Sequence, residues 1–198
     1  MVMKRTGAIE RKTGETDIKV RISLDGQGLL TGATGVGFLD HMLELFVKHS
    51  NCNMEISASG DLHVDAHHLT EDIGICIGKA IKEALGDKKG IKRYGASYVP
   101  MDEALVRVVV DFSGRSYLAY RVCELNERVG DFDTELVEEF LRALSVYGGI
   151  TIHVDKLAGH NTHHVIEGVF KALARSMSAA WSMDAGQTSV LSTKGVLE

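Results

Sequence analysis

The chain is short of the residues that staple or puncture small folds. Its three cysteines, Cys52, Cys76 and Cys123, are odd in number and show no Cys-x-x-Cys spacing. That excludes a disulfide frame and a thiolate zinc knuckle, and leaves reduced, mostly buried thiols. Proline occurs once, at Pro100, near the start of a strand region, where a missing amide donor is tolerated. There is no Lys/Arg-rich block, and the net charge is −5, which argues against a nucleic-acid binder. The longest apolar runs fall far short of a membrane span, and Met1–Arg5 has no apolar signal region behind it, so no membrane partner and a cytoplasmic location are expected. Low-complexity segments are missing as well. The remainder is 198 residues, 44% of them hydrophobic, enough for one sizeable core or two small ones.

Nine histidines stand out against that background, and four of them write one pattern twice: His67-His68-Leu69-Thr70-Glu71 and His163-His164-Val165-Ile166-Glu167. On an α-helix His67 and Glu71 are four positions apart and share a face, as do His163 and Glu167, so each pair can grip one cation. The adjacent His68 and His164 point about 100° away around the helix. Ligands facing two ways on two helices suggest two metals shared between neighbouring repeats, not one enclosed structural ion. The plainer account makes these helix starts with surface histidines, since Asp65 and Asn161 are suitable N-caps and a first-turn Glu suits the helix dipole. Capping alone, however, does not call for paired imidazoles in two places.

The repeat extends beyond the two motifs. Val20–Asp25 resembles Val106–Asp111, both alternating with the period of a half-buried strand. Helical stretches follow at Phe38–His49 and Thr134–Tyr147, then short strands at Met54–Ile56 and Ile152–Val154, then the two motif helices. The expected fold is α+β: two tandem pseudo-symmetric half-domains, residues 1–90 and 91–198, each a sheet with two helices on one face, packed helix to helix into one intertwined domain. Gly86–Gly90 is the natural join, and Gly186–Glu198 has no strong periodicity and reads as a tail. Aligning the halves adds two candidates. His41 lies 26 residues before His67, and Glu139 lies 24 before His163 on the equivalent helix. Taken singly, His41 is as well explained as a core histidine and Glu139 as a solvated carboxylate. Taken together with the motifs they give eight ligands, four per metal, and a mixed imidazole and carboxylate set fits a six-coordinate ion, Mn²⁺ before Zn²⁺ or Fe²⁺.

Seven segments in order carry a resemblance over nearly the whole chain: Arg11–Thr16, Phe38–Leu43, Asp65–Asp72, Pro100–Glu103, Phe112–Arg115, Asn161–Glu167 and Ser192–Leu197. In these the chain closely resembles the imidazoleglycerol-phosphate dehydratases, enzymes of histidine biosynthesis that remove water from imidazole glycerol phosphate. The resemblance implies a fold of the ribosomal protein S5 domain 2-like kind with mixed sheets, a di-manganese site and a homo-oligomeric shell of 24 subunits. It implies His41, His67, His68, Glu71, Glu139, His163, His164 and Glu167 as metal ligands. Several members of the family carry His where this chain has Glu139, and His153 is the alternative ligand if Glu139 points elsewhere. Glu15 matches the family's acid–base position. Arg93, Arg115, Lys171, Ser192, Thr193 and Lys194 match positions that hold the substrate phosphate, His49 is placed to line the pocket, and Glu15, His41, His67 and His163 also face substrate. Two other classes stay open on the residues alone: a di-metal hydrolase, which needs no phosphate cluster, and a metal-storage shell, which needs no Glu15.

Overall fold

The computed structural model describes residues 5–197; the expectation for Met1–Lys4 lies outside them. The first half runs β1 (Thr6–Lys12), β2 (Thr16–Ser23), β3 (Leu29–Ala33), α1 (Gly37–Ser50), β4 (Asn53–Gly60) and α2 (His67–Leu85). The second begins with β5 (Tyr94–Met101), β6 (Ala104–Asp111) and β7 (Tyr117–Arg121), and then adds a small hairpin, β8 (Arg128–Val129) and β9 (Phe132–Asp133). It ends with α3 (Leu136–Gly148), β10 (Thr151–Ala158) and α4 (Thr162–Trp181). The four-stranded sheets have orders β1-β2-β4-β3 and β5-β6-β10-β7. In each, the last pair is parallel and the others antiparallel, so both sheets are mixed and the fold is the expected duplicated α+β arrangement.

Alternation decides which face of each sheet is covered. In β2 the side chains of Ile18, Val20 and Ile22 are buried while Lys19 and Arg21 are exposed, and in β6 Val106, Val108 and Val110 are buried. The helices cover those faces. α2 lies on β1 and β2, and α4 on β5 and β6. The helix pairs then cross between halves, α2 against α3 and α4 against α1, so one apolar core runs through both halves. Close approach is permitted by Gly74: a Cβ there would lie 2.7 Å from the Phe140 carbonyl oxygen. Gly78, one turn on, meets Leu144 and Gly148, so α2 and α3 run side by side in the same direction.

Each four-stranded sheet holds one strand, β3 or β7, beyond those the repeat pattern predicts, and the second half adds the β8–β9 hairpin. β3 is short and largely exposed, with no buried residue to give it a period. It also contains Gly32 at φ +92°, pressed so close to Ile56 that a Cβ would overlap its carbonyl. β7 is also short, and its core-facing Leu118 and Tyr120 are only partly buried. Pro100 sits near the end of β5, not its start, and is tolerated because β5 is the edge of its sheet.

Candidate metal centre

The first turn of α4 is built by its cap. Asn161 is extended, and its side-chain oxygen accepts the His163 and His164 amides at 3.0 and 3.3 Å. This sends His163 and Glu167 out on one face. From the other half, α1 brings His41 to the same place: His41 Nε2 lies 2.8 Å from Glu167 Oε1, and His163 Nε2 lies 3.2 Å from the same oxygen. Phe38 packs its ring edge-on to His163, 5.3 Å between centroids, and is itself backed by Phe132 of the β8–β9 hairpin. Lys171, one turn further along α4, pairs with the second Glu167 oxygen. Burial opposes ionisation of Glu167, but the hydrogen bonds from Lys171, His41 and His163 outweigh it and bring its pKa down to about 2.

A second cluster forms at the start of α2, where Asp65 accepts the His67 amide at 2.7 Å. His68 Nδ1 lies 2.9 Å from Asp61 Oδ2 and 3.7 Å from Glu15 Oε2. Glu15 is in the β1–β2 turn, where the Thr13 hydroxyl accepts the amides of Glu15 and Thr16. That turn is tied to α2 through Asp72, which accepts from Thr16 Oγ1 and Arg11 Nε. The hydrogen bond with Asp61 raises the His68 pKa above its ordinary value. His164 has a matching partner: its Nδ1 lies 2.8 Å from Glu103 Oε2, and the hydrogen bonds from His164 and from the Asn161 amide lower the Glu103 pKa to about 2. Neither Asp61 nor Glu103 figures among the residues expected from the sequence. Nothing in periodicity or motif spacing marks a loop carboxylate as a histidine's partner, although Glu103 falls within the resembling Pro100–Glu103 segment.

Among the described residues, donor atoms of three or more potential ligands come within 4.8 Å of one another in two groups, His41/His163/Glu167 and Glu15/Asp61/His68. His67, Glu71 and Glu139 are half-buried and are not drawn together, so the expected set of eight does not assemble within one chain. The parallel α2–α3 packing puts Glu71 and Glu139 at the same end of that contact, as α4–α1 does for Glu167 and His41. An imidazole and a carboxylate can hydrogen-bond without help, whereas two carboxylates repel until a cation lies between them. His153, the alternative ligand, is in neither group. It alternates with the inward Ile152 and Val154, lies on the outer face of β10, and stacks on Tyr117 at 5.7 Å.

The anion-binding candidates separate into two places. Arg93, Arg115, Ser192, Thr193 and Lys194 line one cavity of about 790 Å³, with Tyr94 at its side. The Arg93 guanidinium is held by Asp111 at 2.7 and 3.0 Å, donates to the Leu191 carbonyl at 2.7 Å and lies over the Tyr94 ring. The tail is therefore folded back on the body here, and Lys88 Nζ also reaches the Leu197 carbonyl. Lys171 is not part of this cavity. The Arg93 amide bonds the Ala180 carbonyl near the far end of α4, thirteen residues from Glu167, which is about 20 Å of helix. His49 is half-buried near Lys171 and Arg175, and burial with those cations lowers its pKa.

Fold and clusters define a duplicated α+β protein with an imidazole and carboxylate donor set suited to a divalent cation, beside an arginine-lined cavity. The sequence model of the imidazoleglycerol-phosphate dehydratase family matches residues 34–177. A protein of that name from Desulforamulus reducens is 54% identical over 99% of this chain and 100% of its own length. The Staphylococcus aureus imidazoleglycerol-phosphate dehydratase crystal structure superposes with a TM-score of 0.82 at 47% identity, covering 90% of this chain and 99% of that one. The Pyrococcus furiosus enzyme, in complex with (S)-C348, does so at 0.82 and 38% identity, covering 96% and 100%. This chain belongs to the imidazoleglycerol-phosphate dehydratase family, hydro-lyases of histidine biosynthesis.

Proposed function

We propose that this chain removes water from imidazole glycerol phosphate at a centre of two Mn²⁺ ions completed between subunits of a homo-oligomer, 24 in number, in the cytoplasm. The observation that carries the reading is the meeting of His41, His163 and Glu167 from opposite halves. Neighbouring donors on an octahedral ion of this size stand about 3 Å apart, and the Glu167 oxygen lies 2.8 and 3.2 Å from the two imidazole nitrogens. With no thiolate in the set, the residues fit Mn²⁺. His68, His164, His67, Glu71 and Glu139 are proposed to complete the ligands. When bound, the ions supply Lewis-acid stabilisation of negative charge on the imidazole ring.

The chain's own residues do the rest. The reaction takes a C–H proton from a hydroxyl-bearing carbon in the side chain of an imidazole, a very weak acid in water. Glu15, exposed in its turn beside His68, is proposed to take or relay that proton. The Arg93, Arg115 and Ser192–Lys194 cavity is proposed to hold the phosphate, with guanidinium forks matched to its oxygens. Because that cavity and the Glu167 cluster of one chain are separated by about 20 Å of α4, the three-carbon chain between imidazole and phosphate cannot bridge them. This supports a site assembled from more than one subunit. The cytoplasmic location is supported by unpaired Cys52 and Cys76, whose burial pushes both thiols up to about 11. No described helix is long and apolar enough to cross a membrane. Nothing in the site or its relatives favours a di-metal hydrolase. The deciding assay incubates the purified protein with Mn²⁺ and imidazole glycerol phosphate and follows the ketone product. Metal uptake with no ketone formed would leave only a binding or storage role.

A further inference from the structure

In each His-His pair the second histidine is gripped from behind. His68 Nδ1 lies 2.9 Å from Asp61 and His164 Nδ1 lies 2.8 Å from Glu103. A carboxylate can only accept, so in both rings Nδ1 must carry the hydrogen. In the neutral imidazole the lone pair is then left on Nε2, the nitrogen on the opposite edge. We infer that Asp61 and Glu103 are positioning residues that fix the tautomer and aim of His68 and His164, so that each presents Nε2 as a donor to the metal centre. The inference rests on the metal-dependent reading above.

Where these carboxylates come from separates a function from an inherited accident. The halves are copies, so a contact left over from duplication would use equivalent positions. It does not. Asp61 directly follows β4, and the residue directly following β10 is Gly159, which has no side chain to offer. Glu103 sits in the turn between β5 and β6, and the corresponding β1–β2 turn holds Glu15, which stays 3.7 Å from His68 Nδ1, beyond hydrogen-bond reach. The same bond to the same ring nitrogen is thus made twice from non-equivalent loops. The difference also assigns labour. With Asp61 holding His68, the first-half turn keeps Glu15 unattached for proton transfer, while in the second half the turn carboxylate is itself committed to holding His164. Asp61 Oδ1 is moreover buried without a partner, a cost that packing alone does not explain.

Outer-shell carboxylates on metal-bound histidines typically change metal affinity by about 10–100-fold, and that is the size of effect expected here. Two variants that remove the acceptor test it, Asp61→Ala and Glu103→Ala, with ¹⁵N NMR of the metal-free protein reading the tautomer of each histidine and Mn²⁺ titration reading affinity. The wild type should show Nδ1–H for His68 and His164. Each variant should lose that signature at its own histidine alone and bind one of the ions about 10–100-fold more weakly, with near-wild-type thermal unfolding before metal is added. Nε2–H tautomers in the wild type, or unchanged affinity in both variants, would overturn the proposal. So would outright loss of an ion in Asp61→Ala at saturating Mn²⁺, which would make Asp61 a ligand. Asp61→Ala is the safer arm, because the Asp61 side chain bonds only His68 among the described residues, whereas Glu103 also accepts the Asn161 amide. If the wild type binds no Mn²⁺ at all, the metal reading fails, and the tautomers are still read independently.

Discussion

Replacing Glu167 with Gln tests whether the centre is held together, before metal arrives, by charge. In the metal-free protein the Glu167 side chain is 9% exposed and its partner Lys171 is 15% exposed, so the pair is buried. Breaking a buried pair by removing one member costs about 3–5 kcal/mol, because the other charge is stranded. Lys171 can recover part of this by sliding its long stem toward water, and the two half-exposed imidazoles lose only weak bonds, which leaves about 2–3 kcal/mol. For a chain of this length each kcal/mol moves Tm by about 2–4 °C, so Glu167→Gln should melt about 5–10 °C lower. Replacing both partners, Glu167→Gln with Lys171→Met, removes the stranded charge and should return most of the loss, to within about 1 kcal/mol of wild type. The assay is thermal unfolding by circular dichroism after chelation, at fixed protomer concentration, since assembly makes Tm concentration-dependent. A single variant as stable as wild type, or a double variant no better than the single, would refute the claim that Lys171 depends on Glu167.

Glu15→Gln should lower turnover by about 10²–10⁴-fold while metal content and substrate affinity stay near wild type; normal turnover would remove Glu15 from the reaction. Glu139→Ala should lose about one of two bound ions per chain and Glu139→His should keep both, and full occupancy in the alanine variant by elemental analysis would make Glu139 a surface carboxylate. Chelation should dissociate the assembly as well as stop catalysis, read by size-exclusion chromatography, and an unchanged elution volume after verified metal loss would place the ions wholly within one chain. Because one core runs through both halves, they should unfold in a single transition, and two resolved calorimetric steps would show independent halves.

The sequence was most legible where burial imposed a period. The helices expected at Phe38–His49 and Thr134–Tyr147 are found at Gly37–Ser50 and Leu136–Gly148, because their apolar stripes face a core. β3 and β7 are five residues each and at most partly buried, too little for a period to stand out. Periodicity names the buried face of a helix but not its neighbour, so the crossing of α1 to α4, which brings His41 to Glu167, had to be seen. Repeat alignment did put His41 and Glu139 at equivalent places. The residue types alone make the second place the more negative; what they could not show is that His41 closes on Glu167 while Glu139 and Glu71 are not drawn into a cluster. The Arg93 cavity draws together residues from β5, the loop before β7 and the tail that no local motif connects. Lys171 was grouped with them by resemblance; within one chain it pairs with Glu167 and does not line that cavity.

The crossing of helices between halves also bears on descent. A lone half with a His-His-x-x-Glu helix would carry its His41-like or Glu139-like partner on a helix whose helical neighbour is another copy's motif helix. Such a polypeptide could gather donors from two directions only by pairing with its twin. Fusion of the halves brings into one chain the donors that a half-length chain would gather only by self-association, and it lets the two crossings differ, with His41 at one and Glu139 at the other.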